Sequence, residues 1–252
     1  MSEPLLGIRR VGHHFRGLTV LRNVEFDVPP GSITGLIGPN GAGKSTLFNI
    51  VSGFLAPASG SIHFAGQDIT AWTVTRRTRA GLVRTFQTPQ VFRNLSVEEN
   101  LVAAGWCATG SSFGSGLLGL PRATRDRRSM HEVARATGEK FGLSSVWAQR
   151  AGDLPAGRQR IVELARACVL SPMLLCLDEP SSGLNQEEVS TLRGHLERLN
   201  GDGMTLLLVS HDMQLMEVAS TVHVLCFGEI IAQGDFRSVK LDPRVREAYL
   251  GV

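Results

Sequence analysis

Residues Gly38 to Thr46 read Gly-Pro-Asn-Gly-Ala-Gly-Lys-Ser-Thr, which fits the spacing G-x-x-x-x-G-K-[ST]. The flanks have the matching form. Ser32-Ile-Thr-Gly-Leu-Ile37 predicts a short buried strand, and Thr46 to Ser52 predicts the opening of a helix. Strand, glycine loop and helix start together make an anion cradle. Glycines let successive backbone N–H groups turn inward, and the helix dipole favours negative charge at that point. The pattern places Gly38, Pro39, Asn40, Gly41, Ala42, Gly43, Lys44, Ser45 and Thr46 around a nucleotide's phosphates. Lys44 is the residue that reaches the β- and γ-phosphates, and the Ser45 hydroxyl is a ligand for Mg²⁺.

The chain of 252 residues is long enough for one large α/β domain carrying an insertion. Apolar residues make up 42% and charged residues 19%, so a packed core is expected. A net charge of only +3 gives no argument for a nucleic-acid partner, and none is expected. The arginine clusters at Arg76, Arg77, Arg79 and at Arg122, Arg125, Arg127, Arg128 read first as solvated faces, and second as contacts for anionic lipid. Cys107, Cys168, Cys176 and Cys226 lack metal-type spacing. Cys176 and Cys226 sit in apolar runs and read as buried reduced thiols, which implies a reducing cytosolic compartment. No signal peptide is expected from Met1 to Gly12, where Glu3, Arg9 and Arg10 interrupt the apolar residues. The uncharged stretch between Glu99 and Arg122 is too rich in glycine and serine for a membrane helix and reads as a glycine-rich insertion.

Along the chain, two strands with a turn near Arg16-Gly17 open the sequence, and Pro29-Pro30-Gly31 ends them. Gly60–Phe64 and Gly81–Phe86 read as further strands. From about Arg93 to Arg166 strand signals vanish, and helices are expected at Val97–Ala104 and Arg125–Phe141. Gly157–Leu170 is amphipathic, with Ile161, Leu164, Ala165 and Cys168 on one face. Strands return at Met173–Leu177, Thr205–Val209 and Val222–Phe227, alternating with helical stretches at Gln186–Leu199 and Asp212–Ala219. That alternation implies a mostly parallel sheet covered on both faces. The fold class is therefore α/β: a phosphate-loop core, an antiparallel β part at the N-terminus, and an inserted helical part.

Leu174-Leu-Cys-Leu-Asp178-Glu179 is an apolar strand ending in two carboxylates. Beside a phosphate loop, Asp178 is expected to hold Mg²⁺ and Glu179 to orient and deprotonate an attacking water. Thr205–Val209 ends at Ser210-His211-Asp212, and a histidine at a strand's C-terminal end faces the ligand crevice of such a sheet. His211 reads equally as a donor to a γ-phosphate and as an exposed loop residue.

The order phosphate loop, Gln87, Leu154-Pro-Ala-Gly-Arg-Gln159, Leu174–Glu179, Ser182-Gly-Leu-Asn185 and His211 resembles the ATPase subunits of ABC transporters over nearly the whole chain. The resemblance implies a single RecA-like domain over 1–252. Its core would comprise 1–92 and 167–252, with a helical signature subdomain at 93–166. It implies ATP and Mg²⁺ as cofactors and a second ATPase subunit, identical or related, placed head to tail. Phe15 looks like the aromatic that stacks on adenine. Gln87 looks like the loop glutamine that touches Mg²⁺ and the attacking water. Leu154, Pro155, Ala156, Gly157 and Arg158 look like the signature segment that meets the partner's ATP.

The chain departs from the family at that segment. The usual start is Leu-Ser-Gly-Gly-Gln, whereas Pro155 has neither hydroxyl nor N–H to donate. Arg158 carries a charge there, and Asn185 stands where Asp is frequent. Leu-Pro-x-Gly is similar to the branched-chain amino-acid branch. So are Arg84-Thr-Phe-Gln-Thr-Pro-Gln-Val-Phe92, the insertion at Ala103–Leu120, and the tail Asp242-Pro-Arg-Val-Arg-Glu-Ala-Tyr-Leu-Gly251. The implied protein is an ATP-hydrolysing subunit at the cytoplasmic face of the membrane, with no spanning segment of its own. It would serve an importer of branched-chain amino acids or small amides, with polytopic permease subunits and an external binding protein. A soluble ABC-type ATPase and a regulatory module impaired in hydrolysis are the competing readings.

Overall fold

The computed structural model describes residues 3–109 and 121–250, with side-chain surroundings for 3–106 and 129–249. The chain divides into two compact units, residues 1–87 with 173–252, and residues 88–172.

The first unit holds two sheets. One is antiparallel, in the order β2-β1-β4-β5, built from β1 (Leu6–Phe15), β2 (Leu18–Val28), β4 (Ser59–Phe64) and β5 (Gln67–Asp68). The β1–β2 turn falls at Arg16 (φ 44) and Gly17 (φ 91), the paired positive φ angles of a tight hairpin. The other sheet has the order β10-β9-β3-β8-β7-β6. Its members are β3 (Ile33–Ile37), β6 (Leu82–Arg84), β7 (Leu174–Asp178), β8 (Thr205–Val209), β9 (Thr221–Cys226) and β10 (Glu229–Gly234). Strands β6 to β9 and β3 run parallel, and β10 returns antiparallel to β9. Every residue of β3, β7 and β8 is buried. That is why these strands read as continuous apolar runs rather than alternating ones.

The structure bears out the α/β class and corrects several details. Strand β10 and helix α2 (Val74–Arg79) were not expected. The turn Phe227 (φ 46) and Gly228 (φ 82) between two apolar runs was the available signal for β10. The helix expected over Asp212–Ala219 is one turn, α7 (Met213–Met216), capped by Asp212 Oδ1 accepting from Gln214 N and Leu215 N. Helix α6 (Gln186–Gly201) starts at a capping box: Asn185 accepts from Glu188 N, and Glu188 accepts from Asn185 N. Helices α8 (Phe236–Leu241) and α9 (Pro243–Leu250) complete this unit.

The second unit is helical: α3 (Val97–Thr109), α4 (Pro121–Lys140) and α5 (Ala156–Val169). Helix α3 runs through Gly105 into the stretch read as insertion, and α4 begins before Arg125. The remaining glycines of that insertion, Gly110 to Gly119, lie outside the described residues, as do the side chains of Arg122 to Arg128. Gly138 lets α4 lie against Trp147, since a Cβ there would sit 2.3 Å from the indole ring. A buried pair, Arg160 to Glu163 at 2.6 Å, sits on α5, and Glu163 also accepts from Gln90 N at 3.1 Å.

Arg77 corrects the reading of its cluster as a solvated face. It is only 1% exposed and donates to five main-chain carbonyls, those of Ile50, Val51, Ile69, Thr70 and Trp72. Two of these lie at the end of α1 (Lys44–Ser52), the helix after the phosphate loop. Burial lowers the guanidinium pKa to about 10, and Asp68 opposes that shift. Arg77→Ala strands buried carbonyls, so we expect a loss of about 3 kcal/mol or more in urea unfolding. His223 is a second buried polar residue. It is 3% exposed and stacks on Phe26 at 4.4 Å, with both ring nitrogens unpaired. Burial lowers its pKa from 6.5 to about 4. The unfolded chain therefore binds the proton first, and this contribution to stability is complete above pH 6.5 and lost as pH falls toward 4. Over that window the midpoint of thermal unfolding of His223→Leu should fall less than that of the native chain.

Candidate active site

The site starts where β3 ends. At Gly38 the chain turns with φ 156, and a Cβ would lie 2.0 Å from the Leu225 carbonyl oxygen. Only glycine passes there. The loop closes on Lys44, the first residue of α1, whose Nζ donates to the carbonyls of Gly38 (2.6 Å) and Pro39 (3.0 Å). Gly43 precedes α1 with no side-chain cap, and no acidic residue stands in the first turn. The backbone N–H groups of that turn thus face outward for an anion. Burial lowers the Lys44 pKa, while Glu179 and Asp178 favour its charged form.

Two carboxylates stand at the end of β7. Asp178 is 7% exposed and takes a hydrogen bond from Arg84 at 2.7 Å. Glu179 has φ 46, a left-handed conformation that a non-glycine residue adopts at a cost of roughly 1–3 kcal/mol. Its N–H donates to the Val209 carbonyl at 2.8 Å, which fixes the turn against β8. Its Oε2 accepts from His211 Nδ1 at 2.6 Å and from His211 N at 3.3 Å. An ionised carboxylate only accepts, so Nδ1 carries the proton and Nε2 is left outward on an exposed ring.

A cleft of about 360 Å³ gathers these parts. It is lined by Phe15, Asn40 to Thr46, Gln87, Asp178 and Glu179. A larger cleft, about 600 Å³ between Arg22 and Arg244, contains none of these residues. Phe15 is 48% exposed, with the His13 ring edge-on at 4.6 Å. The donors Ser45 and Asp178 are oxygens. Among the described residues, no group of three or more His, Cys, Asp and Glu is arranged for a metal. That set fits Mg²⁺ held by few protein oxygens together with phosphate, and does not fit a protein-caged ion. Tyr249 was missed by sequence reasoning. Burial beside the phosphate loop raises its pKa, and the Gly38 backbone opposes that shift. No local pattern marks a tail residue for contact with a loop over two hundred positions earlier.

The signature segment belongs to the other unit. Pro155 occupies the N-cap of α5 with no side-chain cap, Leu154 is buried, and Gly157 is buried in the first turn. Ala156 and Pro155 are exposed. The Arg158 guanidinium donates to the Gly142 carbonyl at 3.3 Å, and Gln159 Nε2 donates to the Leu154 carbonyl at 2.8 Å.

The family described as ABC transporter matches residues 21–182, from β2 past the two carboxylates. The chain belongs to the ATP-binding subunits of ABC transporters. These subunits are ATPases. The description Branched-chain amino acid ATP-binding cassette transporter matches residues 229–252. The high-affinity branched-chain amino acid transport ATP-binding protein LivG of Escherichia coli K12 is 37% identical, covering 100% of this chain and 99% of that protein. BraF of Pseudomonas aeruginosa, which carries the same description, is 35% identical over the same shares. Among solved structures, an ABC-transporter ATP-binding cassette in its ADP conformation matches with TM-score 0.87 at 32% identity, covering all of both chains. A nucleotide-free cassette matches with TM-score 0.86 at 31% identity, covering 99% of this chain and 100% of that one. Nucleotide is thus the ligand class of the fold. Lys44→Ala removes the cleft's flexible cation, and ATP affinity should fall about 10- to 100-fold by calorimetry, the scale of one charge-assisted hydrogen bond.

Proposed function

We propose that this chain hydrolyses ATP to drive a membrane importer of branched-chain amino acids or related small amides. The observation that carries the hydrolytic part is the Glu179–His211 pair, held at 2.6 Å in a left-handed turn beside the phosphate loop. The transport part is supported by full-length relatives whose names describe branched-chain amino-acid transport. The same relatives argue against a soluble non-transport ATPase and against a regulatory module impaired in hydrolysis.

In this reading Gly38 to Thr46 wrap the phosphates with main-chain N–H groups, and Lys44 leaves its two carbonyls to meet the β- and γ-oxygens. Phe15 stacks on adenine. Ser45, Asp178 and Gln87 would hold Mg²⁺, which when bound would supply charge neutralisation to the phosphates. Glu179 accepts the proton of the attacking water, and His211, whose Nδ1–H is held by Glu179, donates from Nε2 to the γ-phosphate when both ring nitrogens carry protons. The rest is positioning. Leu154 to Arg158 meet the ATP of a second ATPase subunit, identical or related. Pro155 donates nothing, so the uncapped first turn of α5 supplies that contact through its backbone. The domain is read as one, with 1–92 and 167–252 as its core and 93–166 as its signature part.

Permease subunits and an external binding protein complete the system, and the chain sits peripherally on the cytoplasmic face. Among the described residues no helix is long and apolar enough to cross a membrane. The test is Glu179→Gln. Nucleotide affinity should stay near that of the native chain while steady-state ATPase activity drops by about 10²-fold or more. Activity at the native level would remove Glu179 as the base. Co-purification from membranes with two polytopic subunits tests the transport assignment, and a chain recovered alone from them would count against it.

A further inference from the structure

Arg84 is the last residue of β6 and pairs in register with Cys176 of β7, two residues before Asp178. Its guanidinium is used on both sides. Nη2 donates to Asp178 Oδ2 at 2.7 Å. Nη1 donates to Asn49 Oδ1 at 2.8 Å and to Ser52 Oγ at 2.8 Å, both on α1. The Arg84 side chain is 7% exposed and that of Asp178 11%. Three aromatic rings surround the cation, with Cζ at 5.6 Å from Phe48, 5.7 Å from Phe54 and 5.3 Å from Phe86. They keep water from competing for the bonds.

We propose that Arg84 is a positioning residue for Asp178, setting the carboxylate so that Oδ1 serves the metal of the bound nucleotide. The proposal rests on reading Asp178 as a metal-facing carboxylate. With Oδ2 taken by the single Nη2 donor, whose guanidinium is itself anchored on α1 through Nη1, Oδ1 is the oxygen left for a cation. The same guanidinium ties together three elements that each send a residue into the cleft. Helix α1 carries Lys44 and Ser45, β7 carries Asp178, and β6 leads within three residues to Gln87. Lysine cannot replace this arrangement, because an ammonium is a point donor and not a fork. A cation present only to neutralise a buried carboxylate would need neither Asn49 nor Ser52.

The test uses Arg84→Lys and Arg84→Gln in the full chain, with binding of a fluorescent ATP analogue measured in EDTA and across a Mg²⁺ titration. Metal-free affinity should equal that of the native chain, since Lys44 and the loop are untouched. The Mg²⁺ needed for half-maximal tightening should rise about tenfold or more, the usual effect of losing a residue that orients a metal ligand. Variants that melt earlier yet keep the native Mg²⁺ titration would overturn the proposal and leave Arg84 a stabilising residue. Should both variants fail to fold, Asn49→Ala keeps the cation and frees one side of it. A smaller rise in the same direction supports the proposal, and an unchanged titration overturns it. If native protein binds the analogue without any response to Mg²⁺, the reading of Asp178 itself fails, and the role given to Arg84 fails with it.

Discussion

Parallel register is the constraint on which the site depends. Leu36 of β3 and Asp178 of β7 are both level with Val209 of β8. Three strands therefore finish at one edge. The chain segments that leave them, the phosphate loop, the Asp178-Glu179 turn and Ser210-His211, must meet there. The strands can lie side by side because their residues are buried throughout, so nothing polar has to be turned toward water between them. The crevice outside the carboxyl ends of such a sheet is the general place for a ligand.

The strongest local forces then shape what lies at that edge. The N-terminus of α1 is left without a side-chain cap, and Glu179 is held in a left-handed conformation. Both are unfavourable in an empty molecule and become useful once an anion and a water are present. The hydrogen bonds that retain Glu179 come from Val209 and His211, so the strain is held by the neighbouring strand and its loop. Cys176 lies two residues before Asp178 on β7 yet is inert. Complete burial pushes its thiol up to about 12 and keeps it protonated.

Arginines do much of the structural organisation, each differently. Arg77 gathers carbonyls from the end of α1 and the loop after β5. Arg84 joins the middle of α1 to Asp178. Arg160 pairs with Glu163, which in turn receives Gln90 of the segment following Gln87. A planar cation with five donors suits such duty, since it satisfies several acceptors at once.

By itself the sequence determined the phosphate loop and the carboxylate pair, each written in neighbouring residues, and the α/β class and the family, each written in the order of such local segments along the chain. Glycines fit a tight turn, and apolar runs fit a buried strand. Tertiary structure alone decided which charges are buried and what they touch. Arg77 and Arg79 look alike in the sequence, yet Arg77 is buried and Arg79 exposed. The bonds of Arg84 to Asn49 and Asp178 join positions 35 and 94 residues apart. Tyr249 meets Gly38 from the far end of the chain. Such contacts follow from how strands and helices are laid against each other, and a local pattern holds no record of that distance.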